Sequence, residues 1–236
     1  MILVYIVRIA PGCSGWDENE LRYSLRSVEK YGRNVDKIVI AGDKPAWLTN
    51  VTHSPIGDPY PLRYNNTWHK MKMLCHNINE PFCLMNDDFF LTAETDFNAI
   101  PDYYDGDINS LTERYRRINT YTSVLYSTRH VLVQNGRPLR NHAVHYPMII
   151  HPQKIREYFG LFVDEPGISF RLLYGNVAAT QPVELPDLKL SHALTTEEVN
   201  EKLRGKTMFS IGDGFLATDG KNYLQHLYPE KSKYEL

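Results

Sequence analysis

The chain has 236 residues, of which 42% are hydrophobic and 23% are charged, and its formal net charge is -2. These values are typical of a soluble globular protein, and they exclude wholesale disorder and a surface coated with positive charge. At this length we expect one domain over residues 1–236.

The amino-terminal segment, MILVYIVRIAPG, has a short apolar run before Arg8 and no basic region ahead of it. It therefore predicts a first strand and not a signal peptide. No window approaches the roughly 20 apolar residues of a membrane span. The cysteines, Cys13, Cys75 and Cys83, lack Cys-x-x-Cys spacing, which disfavours a disulfide framework and a structural zinc site. We expect a cytoplasmic protein without a membrane span.

The first 90 residues alternate between strand and helix patterns. The predicted elements are a strand at 2–9, a helix at 17–31 with Asp17 and Glu20 as a capping box, a strand at 37–43, a helix at 65–78 with Asn65 or Thr67 near its cap, and a strand at 82–88. This order predicts an α/β fold with an open, mainly parallel sheet flanked by helices. Ligands of such sheets bind beyond the carboxyl ends of the strands, where Asp43 and Asn86 fall.

The second half has fewer regular patterns. A strand-like run at 145–150 leads into a helix near Pro152, a further helix is expected at 169–179, Thr195 or Thr196 can cap another, and 208–213 predicts a final strand. Arginines and tyrosines are frequent from 114 to 140: Arg114, Arg116, Arg117, Arg129, Arg137 and Arg140, with Tyr115, Tyr121 and Tyr126. They could bind an anionic polymer, or they could form an ordinary solvated face.

The segment FCLMNDDFFL places two adjacent carboxylates, Asp87 and Asp88, between apolar runs. Like charges resist desolvation unless a cation or hydrogen bonds offset the cost. Hard oxygen ligands select Mg²⁺ or Mn²⁺, which can bridge a diphosphate, as in the acidic motif of GT-A glycosyltransferases. The alternative is structural, with one aspartate capping the next turn and the other solvated.

Longer segments resemble a known family. ENELRYSLRSVEKYGRNVDKIVIAGDKPAWL followed by FCLMNDDFFL resembles the second homology block of the Stealth proteins, which are sugar-phosphate transferases of capsule synthesis related to the lysosomal-enzyme GlcNAc-1-phosphotransferase. VHYPMIIHPQKIREYF is similar to the third block of that family, and MFSIGDGF is similar to the fourth. The strand of the first block, with Trp-Val-Asp-Gly, has no counterpart here.

The resemblance implies a site with a GT-A-like core. Asp87 and Asp88 would lie at the metal and the diphosphate, His145 would be a catalytic or acceptor-side group, and Asp213 would complete the site. We assign His145, Asp213 and Asp88 to catalysis and Asp87, Asp88 and Asp213 to Mn²⁺ or Mg²⁺. The structural alternatives are a core histidine at 145 and a turn aspartate at 213.

The nucleotide-sugar contacts are assigned mainly to residues 1–100, as the nucleotide-binding half, with residues 101–236 as the acceptor half. The assigned residues are Arg26, Asp43, Asn65, Lys70 and Asn86. Lys70 could neutralise a diphosphate, or it could solvate a helix face.

The sequence thus predicts a metal-dependent glycosyltransferase with a nucleotide-sugar donor, which we expect to be UDP-linked, and a hydroxyl acceptor on a glycan or on hydroxymethylated DNA. One alternative is sugar-1-phosphate transfer that releases a nucleoside monophosphate, as the Stealth resemblance implies. The other is a non-enzymatic module that binds carbohydrate or nucleotide.

Overall fold

The computed structural model describes residues 1–9, 16, 19–114, 119–162 and 167–236. The strands are β1 (Ile2–Val7), β2 (Gly32–Arg33), β3 (Lys37–Gly42), β4 (Thr52–Ser54), β5 (Phe82–Met85), β6 (Phe89–Leu91), β7 (Thr95–Asp96), β8 (Tyr103–Tyr104), β9 (Met148–Ile150), β10 (Val183–Glu184), β11 (Lys189–Leu190) and β12 (Met208–Ile211). The helices are α1 (Asn19–Tyr31), α2 (Arg63–Asn77), α3 (Ile108–Arg114), α4 (Thr120–Gln134), α5 (Pro152–Phe162), α6 (Phe170–Ala178), α7 (Thr196–Leu203), α8 (Asp213–Leu216) and α9 (Gly220–Leu227). Cys13, Asp17, Tyr115, Arg116 and Arg117 lie outside the described residues.

The central sheet has five strands in the order β4-β3-β1-β5-β9. The first four are parallel, whereas β9 at one edge runs antiparallel to β5. In the middle of the sheet, Tyr5 pairs with Ile40 on one side and with Met85 on the other, and all three side chains are fully buried. The predicted open, mainly parallel sheet flanked by helices is therefore confirmed.

Alternate residues of β1 face two separate hydrophobic layers, as strand geometry requires. Leu3 and Tyr5 pack in a cluster with Leu25 of α1. Val4 packs in a second cluster with Met71 of α2, to which α5 and α6 also contribute. This burial on both faces explains why β1, β3 and β5 read as continuous apolar runs in the sequence. Across the described ranges, each helix is too short or too polar to cross a bilayer.

A second, smaller sheet has the order β11-β12-β6. Its β12 and β6 are antiparallel, with Phe209 beside Phe90 and Met208 beside Leu91. The rings of Phe90 and Phe209 lie 5.2 Å apart in a third hydrophobic cluster. The chain therefore leaves the central sheet at Met85 and joins another sheet at Phe89, with the carboxylates in the turn between them.

Two predicted helix starts have different outcomes. Thr195 caps α7, because its side chain accepts from the Glu198 N–H in a capping box. The prediction for α2 is wrong: the helix begins at Arg63, and within the described residues its N-cap lacks a side-chain hydrogen bond. Pro61 ahead of the helix and the absence of a short polar residue at position 62 left the true start without a sequence signal.

Candidate active site

A cavity of about 250 Å³ opens where the turn after β5 meets the end of β12. Its lining includes Glu20, Asn86, Asp87, Asp88, Lys189 and Asp213. The Phe89 N–H donates to the Asn86 carbonyl oxygen at 3.3 Å, which closes the turn that carries the two aspartates. Four predicted site residues therefore line one cavity: Asn86, Asp87, Asp88 and Asp213.

Asp87 faces the cavity and keeps an exposed surface there, yet protein atoms surround the recess. This desolvation, followed by the like charges of Asp88 and Glu20, raises the pKa of Asp87 to about 7. A cation beside the carboxylate would remove the repulsion and favour the ionised form. The ionised form of the Asp87 carboxylate is therefore unfavourable unless a positive charge lies beside it.

We expect Asp87→Asn to raise the melting temperature of the metal-free protein at pH 8 by about 2–4 °C, which corresponds to about 1 kcal/mol, because the exposed surface of Asp87 lets solvent screen most of the repulsion. The pKa of Asp87 is higher in the folded state than its ordinary value of 3.8, so wild-type stability falls as the pH rises from about 4 to about 7. Thermal unfolding of both proteins at pH 4 and pH 8 should show the gain at pH 8 alone. A variant that melts below wild type at pH 8 would contradict this explanation.

Asp88 has one oxygen in hydrogen bonds and one without. Its Oδ2 accepts from Ser210 Oγ at 2.9 Å and from Lys189 Nζ at 3.2 Å. Its Oδ1 is buried, and within the described part of the chain it has no hydrogen-bond partner. Such an orphaned carboxylate oxygen is costly, and it is a suitable ligand for a cation.

His145 is the second partner of Lys189, whose ammonium also contacts Asp88. Its Nδ1 is 2.6 Å from Asp187 Oδ2, its backbone N–H donates to Asp187 Oδ1 at 2.7 Å, and its Nε2 is 3.2 Å from Lys189 Nζ. Because an ammonium only donates, Nε2 accepts and Nδ1 carries the proton that Asp187 accepts. Both ring nitrogens of His145 are therefore engaged, Nδ1 with Asp187 and Nε2 with Lys189.

Asp187 is the residue that sequence reasoning missed. Burial acts to raise its pKa, but the hydrogen bonds from His145 and the charge of Lys189 outweigh burial and lower it. The carboxylate therefore stays ionised and can stabilise an imidazolium. It lies 42 residues from His145 in the sequence, within an irregular Leu-Pro-Asp-Leu-Lys segment that carries no strong motif.

Arg171 connects the carboxylate turn to the histidine segment. Its Nη2 donates to Asn86 Oδ1 at 3.0 Å, and its Nη1 donates to the Tyr146 carbonyl oxygen at 2.8 Å. Burial lowers its pKa to about 10, while the charge of Asp88 opposes that shift. The guanidinium remains protonated and fixes the relative positions of Asn86 and the segment that holds His145.

Asp213 begins the short helix α8 and lines the same cavity as Asp87 and Asp88. Over the described residues, however, no three His, Cys, Asp or Glu side chains are grouped closely enough to hold a metal ion by themselves. Mg²⁺ commonly takes only one or two carboxylates, with substrate phosphates as further ligands. The Asp87–Asp88 pair with its orphaned oxygen fits that pattern, and the metal role of Asp213 stays a prediction.

Four residues assigned to the nucleotide-sugar are engaged elsewhere and are absent from the described lining of the cavity. Arg26 binds Glu235, with Nε 2.7 Å from Oε1. Asn65 Oδ1 accepts from the Gly167 N–H at 2.9 Å. Both side chains therefore have partners outside this cavity, and their assignment to the nucleotide-sugar stays a prediction.

The side chains of the other two are near the carboxyl ends of β1 and β3: Asp43 follows β3, and the ammonium of Lys70, from α2, lies 3.5 Å from the Val7 carbonyl oxygen. Asp43 accepts from the Ile9 N–H at 2.7 Å. Lys70 is almost fully buried and pairs with Asp58 at 2.7 Å, so it does not solvate a helix face. Gly42 has a positive φ of 110°, and a Cβ there would lie 2.2 Å from the Val7 carbonyl oxygen, so only glycine allows Lys70 and β1 to approach.

Three arginines of the predicted polymer face each contact a different neighbouring residue. Arg129 donates to Asn109 at 2.5 Å, Arg137 donates to the hydroxyl of Tyr158 at 3.0 Å, and Arg140 lies over the ring of Tyr104 at 5.5 Å. Tyr126 is half exposed. These contacts favour the ordinary surface interpretation for these three arginines.

Comparison with known proteins identifies a shared fold. No protein-family model matches the chain, and no curated protein matches it. A crystal structure of the galactosyltransferase LgtC in complex with donor and acceptor sugar analogs matches with a TM-score of 0.52 and 11% identity, over 99% of this chain and 97% of that one. An active-site mutant of LgtC matches with a TM-score of 0.51, at the same identity and coverage. The Stealth resemblance stays a prediction, and the chain shares its α/β fold with a glycosyltransferase over almost its whole length.

Proposed function

We propose that the chain is a divalent-metal-dependent glycosyltransferase that moves a sugar from a nucleotide-sugar to a hydroxyl acceptor. The observation that carries this proposal is the arrangement of Asp88 and the His145–Asp187 pair on two sides of Lys189, beyond the carboxyl end of β5. That end of a parallel sheet is where ligands of open α/β folds bind. The fold shared with LgtC supports the same reaction class.

Asp87 and Asp88 would hold the cation. The orphaned Oδ1 of Asp88 and the raised pKa of Asp87 both favour a positive charge at this position. When bound, Mn²⁺ or Mg²⁺ would supply neutralisation of the charge that develops on the leaving diphosphate. Asn86, which Arg171 orients, lines the same cavity and could bind the donor.

His145 would act as the general base. Its Nε2 takes the proton of the acceptor hydroxyl while the hydroxyl oxygen attacks the anomeric carbon of the sugar, and the bond from that carbon to the diphosphate oxygen breaks. Asp187 accepts from Nδ1 throughout, so it holds the productive tautomer and stabilises the imidazolium. A UDP-linked sugar is the proposed donor, and a glycan or hydroxymethylated DNA is the proposed acceptor.

We expect metal-dependent slow hydrolysis of one donor when the protein is incubated with Mn²⁺ and UDP-, GDP- or CMP-linked sugars. Release of UDP from a UDP-sugar, its loss with EDTA, and its loss in Asp88→Asn are the expected results, because all three depend on the carboxylate turn. Asp219→Asn, at an exposed position, is the matched control and should behave as wild type.

The nucleotide that is released separates the two transfer reactions. A nucleoside diphosphate indicates attack at the sugar carbon. From a UDP- or GDP-linked sugar, a nucleoside monophosphate would instead indicate sugar-1-phosphate transfer, as the Stealth resemblance implies. A CMP-linked sugar releases CMP by attack at the sugar carbon, so it does not separate the two reactions. If no product forms and calorimetry detects no donor binding, the proposed function is wrong.

A further inference from the structure

Lys189 occupies the centre of the site without a role in the reaction described above. It begins β11 and pairs in register with Ser210 of β12, whose hydroxyl also binds Asp88. Its ammonium lies 3.2 Å from Asp88 Oδ2 and 3.2 Å from His145 Nε2. The side chain is 29% exposed, and it lines the cavity. Both of its partners therefore belong to the proposed catalytic machinery.

Each of these contacts blocks a step of the reaction. An ammonium at Asp88 opposes a second cation there, because like charges a few ångströms apart repel. The same ammonium donates to the lone pair of His145 Nε2, which an acceptor hydroxyl would need. One side chain therefore occupies both His145 Nε2 and Oδ2 of Asp88, while Oδ1 of Asp88 has no hydrogen-bond partner within the described residues.

We propose that Lys189 is a built-in counter-cation that a metal ion displaces from Asp88, and that the ammonium then binds the diphosphate of the nucleotide-sugar and leaves His145 Nε2 free. This inference rests on the proposed function. In this exchange, Asp88 loses the ammonium and gains the divalent cation. Lys189 loses the carboxylate and the imidazole as partners and gains phosphate oxygens. An ammonium is a common ligand of phosphate.

This arrangement gives Lys189 opposite effects on two ligands. It should weaken metal binding to the nucleotide-free protein, because it competes for Asp88. It should strengthen diphosphate binding to the metal-loaded protein, because it contributes a charged hydrogen bond. A lysine that only supports the fold would change both affinities in the same direction.

The experiment is titration calorimetry of wild type and Lys189→Met, first with Mn²⁺ alone and then with UDP, GDP or CDP at saturating Mn²⁺. For Lys189→Met we expect Mn²⁺ to bind about tenfold more tightly. We expect the diphosphate that wild type binds to bind about tenfold more weakly. Lys189→Arg should retain most of the diphosphate affinity, and Lys202→Met, at an exposed position on α7, should match wild type.

The outcomes separate this inference from the proposed function. If wild type binds neither Mn²⁺ nor any of the diphosphates, both are wrong. If wild type binds both ligands, but Lys189→Met leaves both affinities unchanged or lowers both, the counter-cation role is wrong and the proposed function stands. If Lys189→Met does not fold by near-UV circular dichroism, Lys189→Arg and Lys189→Gln decide by the same two titrations, and equal Mn²⁺ affinity in Lys189→Gln and wild type overturns the inference.

Discussion

Replacing His145 with alanine should lower the kcat of donor turnover by about 10²- to 10⁴-fold, which is the usual contribution of a positioned general base. The affinity for the nucleoside diphosphate should stay within about twofold of wild type, because the diphosphate is proposed to bind Lys189 and the cation that Asp87 and Asp88 hold. The measurement is donor hydrolysis, in which water replaces the acceptor hydroxyl, together with calorimetry of the diphosphate.

Two further variants test the role assigned to the histidine. Asp187→Asn leaves a side chain of similar size but removes the charge that fixes the Nδ1–H tautomer, so kcat should fall and the pH–rate profile should change shape. His192→Ala, at an exposed position, is the matched control for loss of an imidazole. If His145→Ala leaves kcat unchanged, His145 is not the general base, and only the proposed donor site keeps its support.

Replacing Glu235 with glutamine should destabilise the fold by about 3 kcal/mol, in the range found when one partner of a buried ion pair is removed. The Glu235 side chain is fully buried, and its carboxylate binds Arg22 at 2.8 Å and Arg26 at 2.7 Å. It also accepts from the Ser232 N–H at 2.9 Å. Glutamine would leave two arginines without their counter-charge, and the melting temperature should fall by about 6–12 °C.

The same carboxylate gives a defined pH dependence. Burial acts to raise the pKa of Glu235, but hydrogen bonds from Arg26, Ser232 and Arg22 lower it from 4.5 to about 2. Because the pKa is lower in the folded state, this stabilisation is present above about pH 4.5 and is lost as the pH falls toward 2. Glu230→Gln, at an exposed position of the same segment, is the control. A stability difference between wild type and Glu235→Gln that is as large at pH 2 as at pH 6 would contradict the assignment.

Much of the central sheet could be predicted because its signals are local. The apolar runs of β1, β3 and β5 reflect burial on both faces, and the turn at Asn86 follows directly from the end of such a run. The start of α2 was missed because Leu62 offers no capping side chain. The departure of the chain into a second sheet at Phe89 has no local signal either, since a strand in either sheet would be equally apolar.

The candidate site was predictable only where its residues lie in recognisable segments. Asp87, Asp88 and His145 come from such segments, whereas Asp187 and Lys189 reach the site through a strand pairing with β12 and carry no motif of their own. Arg26 shows the converse case. It lies in the most family-like helix of the chain, yet its charge is used by Glu235, and only the folded arrangement reveals that partner.

The pairing of β6 with β12 has a consequence for protein synthesis. Phe89, Phe90 and Leu91 are translated long before Met208 to Ile211, so a growing chain presents an apolar strand whose hydrogen-bonding edge still lacks its partner. Such edges promote association between chains. The cavity beside Asp87 and Asp88 is also lined by Ile211 of β12. It is therefore completed only when β12 joins, and until then the unpaired edge of β6 lies next to it.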